Sequence, residues 1–144
     1  MLRIIYIIIT LSFSFSDAYI FSENIRITET SNDQKFPEAE IDENIIHLTW
    51  VSVAGNNKNI MYSKSEDHGE TFSSPTQINF LNNHVVAYGG QSGPKIDIYG
   101  SKVYITYTDN RSGMTSVYLN ISNDYGESWQ EETLIADTSY LNAY

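Results

Sequence analysis

Two acidic segments carry the residues most able to do chemistry: Ser65-Glu66-Asp67-His68-Gly69-Glu70-Thr71-Phe72 and Ser122-Asn123-Asp124-Tyr125-Gly126-Glu127-Ser128-Trp129. Asp67 and Asp124 could serve as general acids or bases, or as oxygen ligands for Ca²⁺. Neither use suits the pattern. A calcium loop needs alternating oxygen ligands and a terminal Glu, which both segments lack, and two lone carboxylates in separate repeats make a poor glycosidase pair. The shared form, Ser-x-Asp-x-Gly-x-Thr/Ser-aromatic, instead suits a tight turn. Its carboxylate accepts backbone N–H groups, its glycine takes the positive φ that closes the turn, and its hydroxyl and ring pin the turn in place. On this reading Ser65, Asp67, Gly69, Thr71 and Phe72, with Ser122, Asp124, Gly126, Ser128 and Trp129, are architectural, and no catalytic residue or metal site is assigned.

Other candidates lie elsewhere. Asp109-Asn110-Arg111 sits in a loop, where Asp109 and Arg111 either hydrogen-bond a ligand or pair with each other in a solvated turn. The unusual connection from His84 to Gly93 offers Tyr88 for stacking and Gln91 for hydrogen bonding, although a plain crossover between repeats is the simpler explanation. His47, His68 and His84 share no ligand spacing, which argues against zinc. Two Asn-x-Ser sequons, at Asn110 and Asn120, matter only in a host that glycosylates exported proteins.

The elements that must hold these residues follow from the repeat. Asp67 and Asp124 lie 57 positions apart, and the same offset relates Pro37 to Pro94, Ile41 to Ile98, Thr49 to Thr106, Trp50 to Tyr107, Thr76 to Thr133 and Ile78 to Ile135. One ungapped offset along most of a chain marks stacked repeat units. Period-two alternation is clear in Ile46, Leu48, Trp50 and in Val103, Ile105, Tyr107, whereas helical periodicity is missing after residue 18. The expected strands are 38–42, 45–51, 59–65 and 71–79 in the first unit, and 95–99, 102–108, 116–122 and 128–136 in the second. A further lone strand is expected over 24–30.

Together these features resemble the BNR, or Asp-box, repeats of sialidase-like β-propellers across about residues 36–136. The resemblance implies an all-β chain: a partial β-propeller of two four-stranded antiparallel blades plus one extra N-terminal strand. It also implies acidic turns linking third to fourth strands at one rim, with the other rim free to bind glycans. The organisation would be a signal peptide at 1–18, a lone outer strand and linker at 19–35, blades at 36–82 and 93–136, an inter-blade loop at 83–92 and a tail at 137–144. Relatives of this kind have six blades, so the chain reads either as a piece of a longer propeller or, with three copies of two blades, as part of a closed ring. Sialidases of the family grip a carboxylate with three arginines, the first just before an Ile-Pro. Here the matching positions are Lys35-Phe36-Pro37 and Ser92-Gly93-Pro94, and outside the first eighteen residues only Arg26 and Arg111 remain. The resemblance therefore favours a non-catalytic surface for glycans or surface proteins over a truncated exo-sialidase.

Composition sets the remaining bounds. Met1-Leu2-Arg3, the apolar run to Phe15, and the small residues Ser16 and Ala18 read as a secretory signal, with an uncleaved anchor as the alternative. The absence of cysteine excludes disulfides and thiolate chemistry. A formal charge of −10 leaves nothing to neutralise a nucleic-acid backbone. No cofactor is expected, and the protein is expected outside the cell or on its surface.

Overall fold

The structure, a computed structural model, describes residues 23–88 and 93–137. Eight strands run in chain order: β1 (Asp33–Asp42), β2 (Ile45–Ala54), β3 (Asn57–Ser65), β4 (Thr76–Gln77), β5 (Lys95–Tyr99), β6 (Lys102–Asp109), β7 (Ser116–Ser122) and β8 (Thr133–Asp137). They form two four-stranded sheets, ordered β1-β2-β3-β4 and β5-β6-β7-β8, with every neighbouring pair antiparallel. No helix occurs among the described residues.

Register explains why the strands run where they do. Ala54 pairs with Asn57 and Ile46 with Ser65, so a two-residue turn at Gly55-Asn56 closes one end of the β2–β3 ladder. Gly55 has φ 61°, as the first central residue of a type II′ hairpin requires. Strand pairing thereby creates two rims. The β2–β3 and β6–β7 connections lie on one, while the two acidic turns lie on the other beside the β1–β2 and β5–β6 hairpins, where Asn44 Nδ2 donates to Glu66 O (3.1 Å) and Tyr125 N donates to Ser101 O (2.8 Å).

The core lies between the sheets, and each sheet contributes a different face to it. The first sheet offers Val51, Ile60, Tyr62 and Ile78; the second offers Val103, Ile105, Tyr107 and Tyr118, all buried. Residues Val103, Ile105 and Tyr107 correspond across the 57-residue offset to Ile46, Leu48 and Trp50, which lie on the opposite face of β2 from Val51. Burying such side chains contributes about 1.5–3 kcal/mol each and dominates the stability of the pair.

Three sequence expectations need correction. Residues 24–30 form no strand, so the extra N-terminal strand is absent. The segment lines a groove with Pro37, Leu48 and Trp50 instead of meeting a sheet edge, so its backbone has no ladder partner, and its apolar alternation reflects Ile27 turning toward an apolar face. β1 begins at Asp33 rather than at residue 38, after which a register shift between Lys35 and Glu38 accommodates Phe36 at φ 55°. The fourth strands are far shorter than the expected 71–79 and 128–136: β4 has two residues, and β8 begins at Thr133. Pro75 has no N–H to give the ladder, and beyond Gln77, although Ile78 N still donates to Ile60 O (3.0 Å), Ile60 N donates to the Asn79 side chain (2.8 Å) instead of to backbone.

The sheets also interlock at two glycines. A Cβ on Gly93 would lie 2.5 Å from Phe36 Cβ, and one on Gly126, at φ 84°, would lie 2.0 Å from the Tyr62 hydroxyl. Gly55→Ala, in open space, is expected to cost only the backbone strain of a positive φ, about 1–3 kcal/mol. Gly126→Ala should cost clearly more, because it also separates the sheets. Urea midpoints of the two variants measure the difference.

Candidate functional site

The two acidic turns share one hydrogen-bond pattern. In the first, Ser65 Oγ donates to Asp67 Oδ1 (2.7 Å), Gly69 N donates to Ser65 Oγ (2.8 Å), Thr71 N donates to Asp67 Oδ1 (2.8 Å) and Thr71 Oγ1 donates to Asp67 Oδ2 (2.5 Å). In the second, Ser122 Oγ donates to Asp124 Oδ1 (2.7 Å), Gly126 N donates to Ser122 Oγ (2.8 Å), Ser128 N donates to Asp124 Oδ1 (2.9 Å) and Ser128 Oγ donates to Asp124 Oδ2 (2.5 Å). Both turns pass through two successive left-handed residues, His68-Gly69 and Tyr125-Gly126. Hydrogen bonds from the Thr71 or Ser128 hydroxyl, and then from their backbone N–H, hold each carboxyl at about 2. Such a carboxylate is a poor proton donor at neutral pH.

The aromatic that ends each turn behaves differently in the two sheets. Trp129 meets Tyr62 of the first sheet edge-on, with ring centroids 4.9 Å apart, and packs against the core. Phe72 is half-buried beside Lys64 and Ser73 and stays outside the core cluster. The second turn is thus also a clamp on the first sheet. Tyr62 and His47 complete it: His47 Nδ1 lies 2.6 Å from Tyr62 Oη, which in turn lies 3.3 Å from the carbonyl of Tyr125. With the proton on Nδ1, His47 donates to Tyr62 and Tyr62 donates to Tyr125, so that one tautomer satisfies both bonds. Lys64 adds an ion pair across the same seam, its Nζ meeting Glu66 (2.7 Å) and Glu127 (2.6 Å).

On the opposite rim, Asp109 and Arg111 do come together, but with each other. Arg111 donates through Nε to Asp109 Oδ1 (2.9 Å), through Nη2 to Asp109 Oδ2 (2.8 Å), and through Nη1 to Glu132. Its guanidinium also lies 4.1 Å from the Tyr118 ring. Glu132, whose side chain is 4% exposed, additionally accepts from the Tyr107 hydroxyl and from Phe80 N (2.9 Å). The network joins the β6–β7 loop, the segment leading to β8 and the segment following β4. Its polar groups face one another, leaving the Arg111 fork turned away from solvent.

Tyr88 is 72% exposed, with Lys58 Nζ 4.2 Å from its ring centroid. The connection leading to it is stitched to β6, since Val86 N donates to Thr108 O (2.9 Å) and Asn110 N donates to His84 O (2.9 Å). Gln91 lies outside the described residues, as does the expected signal segment at 1–18. No cluster of His, Asp or Glu suited to a metal ion occurs among the described residues.

Sequence reasoning missed His47, Tyr62, Lys64 and Glu132. The first three share a strand face that looks merely mixed in polarity, and the partners of Lys64 and Glu132 are set by how the sheets stack. The available signal was a lysine on the same strand face as Ile60 and Tyr62. Comparison of the chain with protein-family models and with curated protein sequences finds no match.

Two titrations follow. By NMR, Asp67 and Asp124 should titrate near pH 2, and Thr71→Val should raise Asp67 while leaving Asp124 in place. Because both folded values lie below the ordinary 3.8, the stabilisation they give is present above pH 3.8 and is lost as the pH falls toward 2. Burial, then the nearby Lys64 charge, lowers the pKa of His47, and its buried Nε2 has no acceptor for a second proton. The unfolded chain therefore binds that proton more readily, and stability should fall as the pH drops below 6.5. His47→Asn should flatten that slope in urea midpoints taken between pH 7.5 and 5.

Proposed function

We propose that this chain is an exported Asp-box repeat protein, a part or relative of a sialidase-like propeller, that acts through a non-catalytic binding surface. The observation that carries this reading is the commitment of its chemically capable side chains to architecture. Both oxygens of Asp67 and of Asp124 accept hydrogen bonds inside their own turns, and Arg111 is engaged by Asp109 and Glu132. A glycosidase acid needs a raised pKa, whereas these two carboxyls are lowered.

The surface that remains is the rim opposite the acidic turns. There the exposed Tyr88 ring, with Lys58 against one side, offers the flat apolar patch beside a polar group on which a sugar ring or a protein side chain stacks. The first eighteen residues supply the export signal in this reading.

A fluorogenic sialoside should be released no faster by the protein than by buffer. A glycan array followed by calorimetry should identify a ligand whose affinity falls about tenfold in Tyr88→Ala, with the thermal midpoint unchanged. Sialoside turnover above background would overturn the non-catalytic reading. Undiminished binding by Tyr88→Ala would move the surface elsewhere.

A further inference from the structure

The contact between the sheets is heterologous: the face of the first sheet carrying Val51, Ile60 and Tyr62 meets the face of the second carrying Val103, Ile105 and Tyr107. Because the sheets are equivalent, each possesses both kinds of face, and the internal contact uses only one from each. Two are left over. The rear of the second sheet presents Tyr104, Thr106 and Thr108 from β6 and Val117, Leu119 and Ile121 from β7, all uncharged and half-buried. These stand 57 positions after His47, Thr49, Val51, Ile60, Tyr62 and Lys64, the residues by which the first sheet receives the second. The front of the first sheet presents Ile46, Leu48, Trp50 and Met61, the first three being the counterparts of Val103, Ile105 and Tyr107.

Residues 24–30 cover that front face without sealing it. A groove of about 250 Å³ remains between them and Pro37, Leu48 and Trp50. Ile25 is 48% exposed, and Arg26 spends its Nε on Thr28 O within the segment itself. Such a loosely held strap is displaced by any surface that packs better.

We propose that a second copy of this chain docks head to tail, the front of its first sheet replacing the strap and seating on the rear of the second sheet as the two sheets already pack within one chain. Continuity with the internal interface selects this occupant, because the same pair of equivalent faces is reused. Copies carrying a charge of −10 repel at low ionic strength, so association strengthens as salt screens them. Docking requires only the packing of the two sheets and no carbohydrate, so its failure would leave the binding rim at Tyr88 untouched.

The test uses the full chain in sedimentation velocity at 1–200 µM in 0.5 M NaCl. Wild type is expected to associate with concentration. Leu119→Lys, broken at the rear, and Leu48→Lys, broken at the front, should each weaken association at least tenfold alone, yet form a one-to-one heterodimer when mixed. Met61→Lys substitutes for Leu48→Lys should the latter lose its cooperative thermal transition. Ile25→Ser combined with Ile27→Ser should loosen the strap and tighten assembly. A wild type that stays monomeric at 200 µM overturns the proposal. So does a front-broken variant that self-associates as well as wild type, since that marks a back-to-back contact.

Discussion

Tyr62 is where the two sheets become one body. Its ring packs in the core and against Trp129, its hydroxyl reaches the carbonyl of Tyr125, and Gly126 lacks a Cβ because that hydroxyl fills the space a Cβ would need. A four-stranded sheet with one apolar face exposed is marginal in water, so each sheet is stable to the extent that this seam holds. Burial opposes ionisation of the phenol, with the Glu127, Glu66 and Asp124 charges adding to the effect, and so keeps it a neutral donor and acceptor.

Polar contacts then fix the register that apolar packing alone would leave loose. Asn120 Nδ2 donates to Ile78 O (2.8 Å) across the seam, while Lys64 bridges Glu66 and Glu127. Burial disfavours the Lys64 charge, but the hydrogen bonds that it donates to Glu127 and Glu66 outweigh it and hold its pKa above the usual value. At the other rim, Arg111 and Glu132 fasten the outer segment of the second sheet to Phe80 of the first. Breaking the buried Asn120–Ile78 bond leaves a polar group without its partner, which costs more than the bond gains when made. The acidic turns are held for a simpler reason, since both carboxylate oxygens of Asp67 and of Asp124 accept bonds from within their own turns.

Much of this was legible beforehand, for identifiable reasons. The equivalence of the two turns depends on residues within eight positions of one another, so Ser65 to Phe72 and Ser122 to Trp129 suffice to specify it. The long central strands were readable because β-branched and aromatic residues alternate between Asp42 and Ser65 and between Tyr99 and Ser122. Residues 24–30 misled because alternation reports that one side of a segment is apolar, and a strap lying across a sheet satisfies this as well as a strand within one. The truncation of β4 depended on the Asn79 side chain replacing the backbone as acceptor for Ile60 N, a substitution that local pattern does not mark.

Chain order alone specifies the two all-strand units, their 57-residue correspondence and the internal hydrogen bonding of their acidic turns, because all of these arise from neighbours along the chain or along one hairpin. Sheet packing, by contrast, selects which face of each sheet is buried, brings His47, Tyr62 and Lys64 to the second turn and joins Arg111 to Glu132. Those outcomes depend on how one twisted sheet lies against another, and contacts between residues 62 and 125, or 64 and 127, are set by that stacking rather than by any local propensity.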